Sequence, residues 1–115
     1  MINVDQRRHY ISALIAHNPT SISLTRHTVS DAGYGAGVDT ASSISAQTFR
    51  MELLPRPVVR YSDTGDALVA TVWMLGEYAA DIQPGDTFTI DSQTYEVIYV
   101  RRFPHKTEAD VRIVP

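Results

Sequence analysis

The sequence predicts a mainly β protein: a small antiparallel β-barrel or sandwich of five to six strands, with one N-terminal α-helix and a long glycine-rich loop. Two observations support this fold class. Over residues 87–100, β-branched and aromatic residues recur at alternate positions, as in half-buried strands. Only residues 4–17 have the three- and four-residue apolar spacing of an amphipathic helix. The length of 115 residues favours a single domain over 1–115, with the helix at 4–17 and the barrel at 20–115.

The strongest local signal lies at residues 84–100. Pro84-Gly85-Asp86 suits a type II turn, because proline presets φ at one central position and glycine accepts a positive φ at the next. Alternation runs to Ile90, breaks at the polar residues Asp91-Ser92-Gln93, and resumes at Tyr95. Two alternating runs split by a short polar loop predict a β-hairpin, on which we expect the other strands to pack.

The helix and the remaining strands follow from simpler patterns. Asn3 or Asp5 can cap the start of the helix, and Asn18-Pro19 ends it, because the residue before a proline is pushed out of the α region. Further strands are predicted at residues 20–29, 44–54, 67–75 and 108–114, with either a short edge strand or an extended link at 58–61. The segment 67–75 is apolar on both faces, which is typical of a central strand.

Residues 30–43 are expected to form a long, mobile loop. The segment holds three of the six glycines and many small residues. Such a composition buries too little apolar surface to offset the entropy lost on ordering. Loops of this length are usually either functional or disordered.

Composition narrows the functional classes. A net charge of −3 argues against a strongly basic nucleic-acid binder, although it leaves room for a protein that surrounds DNA without binding its phosphates tightly. The absence of cysteine leaves neither a disulfide framework nor a thiolate metal site. No apolar run approaches the roughly 20 residues of a membrane span, and the N-terminus lacks the features of a signal peptide. We therefore expect a protein of a reducing cytoplasm, or of a particle assembled there.

Motifs for catalysis or cofactor binding lack their required context. The four histidines are scattered, so no metal site is predicted. The glycines of residues 33–37 are followed by neither Lys-Ser/Thr nor an apolar helix, as a phosphate loop requires. Asp63-Thr64-Gly65 resembles the signature of aspartic proteases, but it lies in a polar stretch rather than at the end of a buried strand. We expect no catalytic, cofactor-binding or metal-binding residues, with a dimeric protease as a remote alternative.

Several segments together resemble the head-closure proteins (stoppers, or head–tail connectors) of long-tailed bacteriophages. They follow in the family's order and cover nearly the whole chain: IAHNPTSISLTR, SDAGYGAG, QTFRMELLP and VWMLGEYAADIQPGDTFTIDSQTYEVIYVRRF. The pattern of a Pro-Gly-Asp turn, a strand and Tyr-Glu-Val also recurs in head–tail adaptors and tail-completion proteins. The chain departs from the family in having Asp91-Ser92-Gln93 where relatives commonly place Asp-Gly.

The resemblance implies a structural protein of the virion neck. Such proteins form a ring, expected to be dodecameric, that closes the DNA-filled head below the portal and adaptor proteins and offers the tail a surface for attachment. The implied partners are the portal and adaptor on the head side, tail-terminator or tail-tube proteins on the tail side, and genome DNA passing through the channel. The alternative is a tail-completion, tail-terminator or adaptor ring protein.

Two groups of residues are candidates for contacts in such a ring. The glycine-rich loop is expected either to reach into the channel or onto the next ring, or to lie outside until partners order it; its candidate residues are Asp31, Gly33, Tyr34, Gly35, Gly37 and Asp39. The second group joins the helix and a basic turn, since aromatic and arginine side chains are enriched at interfaces. Its members are Arg7, Tyr10, Arg101, Arg102 and Lys106.

Overall fold

A computed structural model describes residues 3–31, 37–61 and 64–115. The chain begins with helix α1, Val4–His17, as predicted. The Asn3 side chain accepts a hydrogen bond from the Gln6 backbone N–H at 2.8 Å, and the Gln6 side chain accepts one from the Asn3 N–H at 3.1 Å. This reciprocal capping box satisfies two backbone donors that would otherwise be unpaired, and it fixes where the helix starts.

Eight strands follow the helix. They are β1 (Thr20–Ile22), β2 (Thr25–Asp31), β3 (Gly37–Ser43), β4 (Gln47–Tyr61), β5 (Ala67–Gly76), β6 (Thr87–Ile90), β7 (Gln93–Arg102) and β8 (Thr107–Val114). All pairings are antiparallel, in the order β1-β4-β5-β8-β7-β6-β2-β3. The mainly β class is confirmed. The expected count of five to six strands is wrong, and so is the closed barrel, because the described sheet has two free edges, β1 and β3.

The open sheet is nevertheless rolled. Only Ser23 and Leu24 separate β1 from β2, although these strands stand six places apart in the sheet order. Three Cα–Cα steps span at most about 11 Å, so the β1 edge must return close to β2. The short connection between β1 and β2, rather than a ladder of hydrogen bonds, brings these two strands together. β3, which follows β2 in the sheet order, then lies outside the roll.

The core lies inside this roll. Its buried members come from the strands and from the β5–β6 connection: Ile22, Leu24, Phe49, Val72, Met74, Ala80, Ile82, Phe88, Val97, Ala109 and Val111. A second, smaller cluster joins Ile11 and Ile15 of α1 to Leu75 of β5. The helix therefore covers the outer face of the C-terminal half of β5, and this half is mostly buried on both faces, as predicted for a central strand.

The predicted loop at residues 30–43 is wrong for most of its length. Thr25–Asp31 pairs with Gly37–Ser43 in an unbroken register from Thr25 opposite Ser43 to Asp31 opposite Gly37. Threonine and valine favour extended backbone, and cross-strand hydrogen bonds satisfy the peptide groups without any burial of apolar side chains. Residues 32–36, the centre of the predicted loop, lie outside the described part of the chain.

Strand β4 also runs further than predicted. It passes through Pro55-Arg56-Pro57 to Tyr61, and its register with β5 shifts between Leu53 and Val58. Prolines are tolerated at a bulge on a free edge, where no neighbouring strand needs their missing N–H groups. Beyond the bulge β4 continues into the segment expected to be a separate short strand or an extended link. Leu53, the last residue before the shift in register, is 79% exposed.

The turns that flank β6 are both tight. The Asp86 N–H donates to the Gln83 carbonyl at 3.2 Å and Gly85 has φ +93°, as expected for the predicted type II turn. Between β6 and β7, Asp91 and Ser92 both have positive φ, 50° and 66°. Two such residues in a two-residue hairpin loop make a type I′ turn, which normally prefers glycine at its second position.

Candidate interaction surfaces

The most protruding feature is the β2–β3 hairpin, Thr25–Asp31 with Gly37–Ser43, hereafter the arm. Among the described residues, only Thr25 at its root pairs with the rest of the sheet, opposite Thr87 of β6. Seven paired residues extend it by about 20 Å, in a molecule that measures 55 × 30 × 29 Å. Along most of its length the described arm therefore has no third strand beside it. An isolated two-stranded hairpin is only marginally stable in water.

The root of the arm, by contrast, is fixed by a buried ion pair. Arg26 donates from Nε and Nη2 to the carboxylate of Asp86 at 3.1 and 2.9 Å, and its Nη1 lies 2.8 Å from Asp81. Asp86 is 1% exposed and also accepts a hydrogen bond from the Gln83 N–H at 2.8 Å. The hydrogen bond from Asp86 raises the pKa of Arg26 above its ordinary value, in spite of partial burial. The arm is therefore anchored at one end and unsupported at the other.

The residues predicted for the glycine-rich loop fall at the far end of this arm. Asp31 ends β2, Gly37 begins β3 opposite it, and Asp39 lies opposite Val29. Gly33, Tyr34 and Gly35 lie outside the described residues. The fold thus brings the two aspartates to the same distal region of the arm, and their contact with a channel or a neighbouring ring remains a prediction.

Arg101 is paired within its own chain. It is one of three basic residues near the β7–β8 turn that were predicted to contact a partner. Its Nη1 and Nη2 donate to the two oxygens of Asp110 at 2.8 and 3.0 Å, and Arg60 donates to the same carboxylate at 3.1 Å. Arg60 also lies over the ring of Tyr99, 4.3 Å from its centroid. Burial would raise the pKa of Asp110, which is 3% exposed, but the hydrogen bonds and charges of Arg101 and Arg60 outweigh it and lower that pKa.

The other two cations of this turn are also engaged. Arg102 donates to the backbone carbonyls of Ala80 and Ile82 at 2.9 and 2.6 Å, and so fixes the β5–β6 connection. Lys106 lies 3.1 Å from a carboxylate oxygen of Glu108. A run of basic residues in the sequence does not show which carboxylates they pair with. The two-residue spacing of Glu108 and Asp110 on the next strand could have indicated that both carboxylates lie on one face, within reach of Arg101. Contact of Arg102 and Lys106 with a partner remains a prediction. Both side chains already make polar contacts within their own subunit.

The helix residues of the predicted interface are placed differently. Arg7 and Tyr10 are exposed on α1, with Tyr10 at 65%, and their three-residue spacing puts them on one face. The neighbouring Arg8 stacks over Tyr78 at 3.6 Å and donates to the Pro104 carbonyl. Of the five predicted interface residues, Arg7 and Tyr10 are the two whose side chains stay available to a partner.

An exposed apolar surface on β4 and β5 was missed from the sequence. Val59 and Tyr61 of β4 and Val69 of β5 are 51%, 75% and 47% exposed and share one face of the sheet. Leu53 is 79% exposed but lies opposite the buried Val72, so it belongs to the other face. Tyr61 also lines an open groove of about 540 Å³ that runs towards Tyr99. Exposed apolar groups concentrated on one element are typical of an interaction surface. The alternation of apolar and polar residues along the strands could not reveal this surface. Alternation shows which side chains share a face of the sheet, but not whether another layer of the protein covers that face.

The motifs considered for chemistry receive no geometric support. Thr64, Gly65 and Asp66 are exposed at the β4–β5 turn, where Thr64 donates to Asp66 at 3.0 Å; Asp63 itself lies outside the described residues. An aspartic protease instead needs its carboxylate at the buried end of a strand. Within the described ranges, no three His, Asp or Glu side chains are grouped so as to hold a metal ion.

No protein-family model matches the chain, and no curated protein matches it significantly. In the described part of the chain, no helix has both the length and the apolar character needed to cross a membrane.

Proposed function

We propose that this protein is a structural subunit of a tailed-bacteriophage neck, forming a ring that closes the DNA-filled head below the portal and adaptor and offers the tail a surface for attachment. The observation that carries the proposal is the arm. It has an anchor at the Arg26–Asp86 ion pair and a two-stranded extension that, among the described residues, pairs with the rest of the sheet only at Thr25. A protein that works by assembly is expected to contain such an incomplete element.

The segments that resemble head-closure proteins support the proposal because they are spread over the elements of the fold in chain order. The first runs from the end of α1 through β1 into β2, the second covers the distal arm, and the third begins β4. The last runs from β5 through β7. The resemblance therefore follows the architecture in order. In this proposal the rolled sheet is the barrel-like body of each ring subunit.

The charge balance is compatible with a channel for DNA. Each lysine or arginine that contacts a phosphate adds affinity, which would slow the passage of the genome. The net charge of −3 avoids that, and most arginines of the body are paired with carboxylates of the same chain. We expect a dodecameric ring in the virion neck, without sequence-specific DNA contacts and without catalysis.

The test is binding of the purified protein to isolated portal–adaptor complexes and, separately, to isolated tails of the same phage. We expect it to add a ring of density to the portal–adaptor complex in electron micrographs. Binding to tails alone would favour the tail-completion or tail-terminator alternative. Binding to neither particle, at protein concentrations up to the micromolar range, would overturn the proposal.

A further inference from the structure

In the described part of the chain, the outer edge of β4 has no strand beside it along most of its length. β1 pairs with β4 from Gln47 to Phe49, so from residue 50 to Tyr61 the one described strand that pairs with β4 is β5. Backbone groups on a free edge are a template for another extended chain. Leu53 and Tyr61, both mostly exposed, lie on this same stretch. The edge therefore combines open backbone groups with apolar side chains.

A cation without a partner stands in the middle of this edge. Arg56 lies exposed between Pro55 and Pro57, and in the described part of the chain it makes no hydrogen bond or ion pair. The flanking arginines of β4 differ, since Arg50 pairs with Glu52 and Arg60 with Asp110. The charge of Arg56 is thus available to another molecule.

The arm has the opposite charge. From Thr28 to Ser43 the sequence contains Asp31 and Asp39 and no lysine, arginine or histidine. Beyond its root, both edges of the arm lack a strand neighbour in the described residues. Each subunit therefore carries an acidic extended ribbon without a neighbour and a basic strand edge without a neighbour.

We propose that the arm of one copy docks along the β4 edge of the next copy, so that the acidic distal part of the arm, which carries Asp31 and Asp39, meets the part of the edge that carries Arg56. This inference rests on the proposed ring and names the contact that builds it. Addition of an extended segment to a sheet edge is a common mode of recognition, in which backbone hydrogen bonds give affinity and side chains give specificity. The apolar side chains of the edge add buried area, and the charges set the register.

A second copy is favoured as the occupant because like-to-like contacts are disfavoured. Two arms side by side would bring aspartates together, and two β4 edges would bring Arg56 against Arg56. The prolines at 55 and 57 also remove N–H donors from both partners of an edge-to-edge ladder. An arm-to-edge contact avoids the like charges and lacks the proline donors on one side only. Such a heterologous contact uses two different surfaces of each copy, so it propagates around a ring.

Cysteine cross-linking tests the pairing directly, since the chain has no native cysteine. Single-cysteine variants Asp39→Cys and Arg56→Cys are mixed over a range of concentrations with a short bismaleimide linker. We expect covalent dimers from the mixture and few from either variant alone. Asp91→Cys, in the exposed β6–β7 turn, replaces Asp39→Cys in the control mixture. Dimers formed equally by single variants or by the control mixture, or no dimers at any concentration, would overturn the inference.

A charge swap tests the specificity. We expect Arg56→Glu to weaken self-association by about tenfold, Arg56→Lys to leave it near wild type, and Arg56→Glu combined with Asp31→Lys and Asp39→Lys to restore most of the loss. Sedimentation velocity at low and high salt measures the self-association of each variant. Binding of the same variants to portal–adaptor complexes is measured in parallel. Full binding to the complex by Arg56→Glu rings would reject this contact and leave the proposed function standing. Failure of the wild type to bind would reject the proposed function itself.

Discussion

The rolled body and the arm are built from the same kind of paired strand, yet they differ in what supports them. In the body, strands have neighbours that bury Phe49, Met74 and Val97 between them, and charged groups such as Asp110 are paired out of contact with water. Apart from the ion pair at Arg26 and the pairing of Thr25 with Thr87, the described backbone of the arm pairs only within the arm. Stability should therefore depend on the body and self-association on the arm, so that substitutions in the two regions affect different measurements.

The largest loss of stability is expected from Asp110→Asn. Two arginines, Arg60 and Arg101, donate to this buried carboxylate, and an amide leaves Arg60 without its counter-charge and Arg101 with Glu108 alone. Removal of one partner from a buried ion pair costs about 3 kcal/mol or more in the free energy of unfolding. Urea denaturation at pH 7 measures it. Asp5→Asn, on an exposed carboxylate of α1, is the control, and we expect it to change that free energy by less than about 0.5 kcal/mol.

The stability that Asp110 contributes through its arginine partners should also depend on pH, which gives a second measurement. Because the folded-state pKa of Asp110 lies below the ordinary value of 3.8, its contribution to stability is fully present above that pH. It is lost as the pH falls from 3.8 through the folded-state pKa. The difference in unfolding free energy between wild type and Asp110→Asn should therefore shrink between pH 5 and pH 2. A difference that stays constant over this range would mean that the carboxylate is not held in its charged form.

A smaller loss is expected from Gly76→Ala at the end of β5. A Cβ at this position would lie 2.7 and 2.9 Å from two ring carbons of Phe49, whose side chain is fully buried and cannot move aside. Overpacking of this kind costs about 2 kcal/mol, measured by thermal or urea unfolding. Phe49→Leu should recover part of the loss in the double variant. Gly65→Ala is the matched control: it has open space around it and only the strain of φ +86°.

The sequence predicts the body better than the arm, and the reason is physical. Helix bounds, the β6–β7 hairpin and the central strand β5 depend on caps, turns and apolar alternation, all of which are local signals. In the arm, apolar alternation is weak in TRHTVSD and GVDTASS, and the glycines suggested a loop instead. Its pairing depends on register across the hairpin, which local composition does not reveal.

The interaction surfaces were predictable only in part. Exposure of Arg7 and Tyr10 follows from helical spacing, which is local. The pairing of Arg101 with Asp110 depends on two strands meeting in register with a bulge between Val97 and Tyr99, and that can be known only once the sheet is built. The exposed Leu53 likewise depends on the absence of a strand beside β4.

A modest gain in stability is expected from Ser92→Gly. Ser92 has φ +66°, which a residue with a Cβ adopts at a cost, and glycine removes that cost although it enlarges the unfolded ensemble. The net gain in unfolding free energy should be about 0.5 kcal/mol, measured by urea denaturation. Ser92→Ala is the control and should give no gain. A loss with glycine would mean that the backbone entropy of the unfolded chain outweighs strain in this turn.

The smallest effect on stability is expected from shortening the arm. Replacing residues 29–39 with Asn-Gly joins Thr28 to Thr40, which already face each other, through a type I′ turn. The Arg26–Asp86 pair and the whole core remain, so the free energy of unfolding should change by less than about 0.5 kcal/mol. Self-association, followed by sedimentation velocity, should nevertheless be lost. A loss of more than about 1 kcal/mol would show that the distal arm unfolds together with the body, and the separation of stability from assembly would then be wrong.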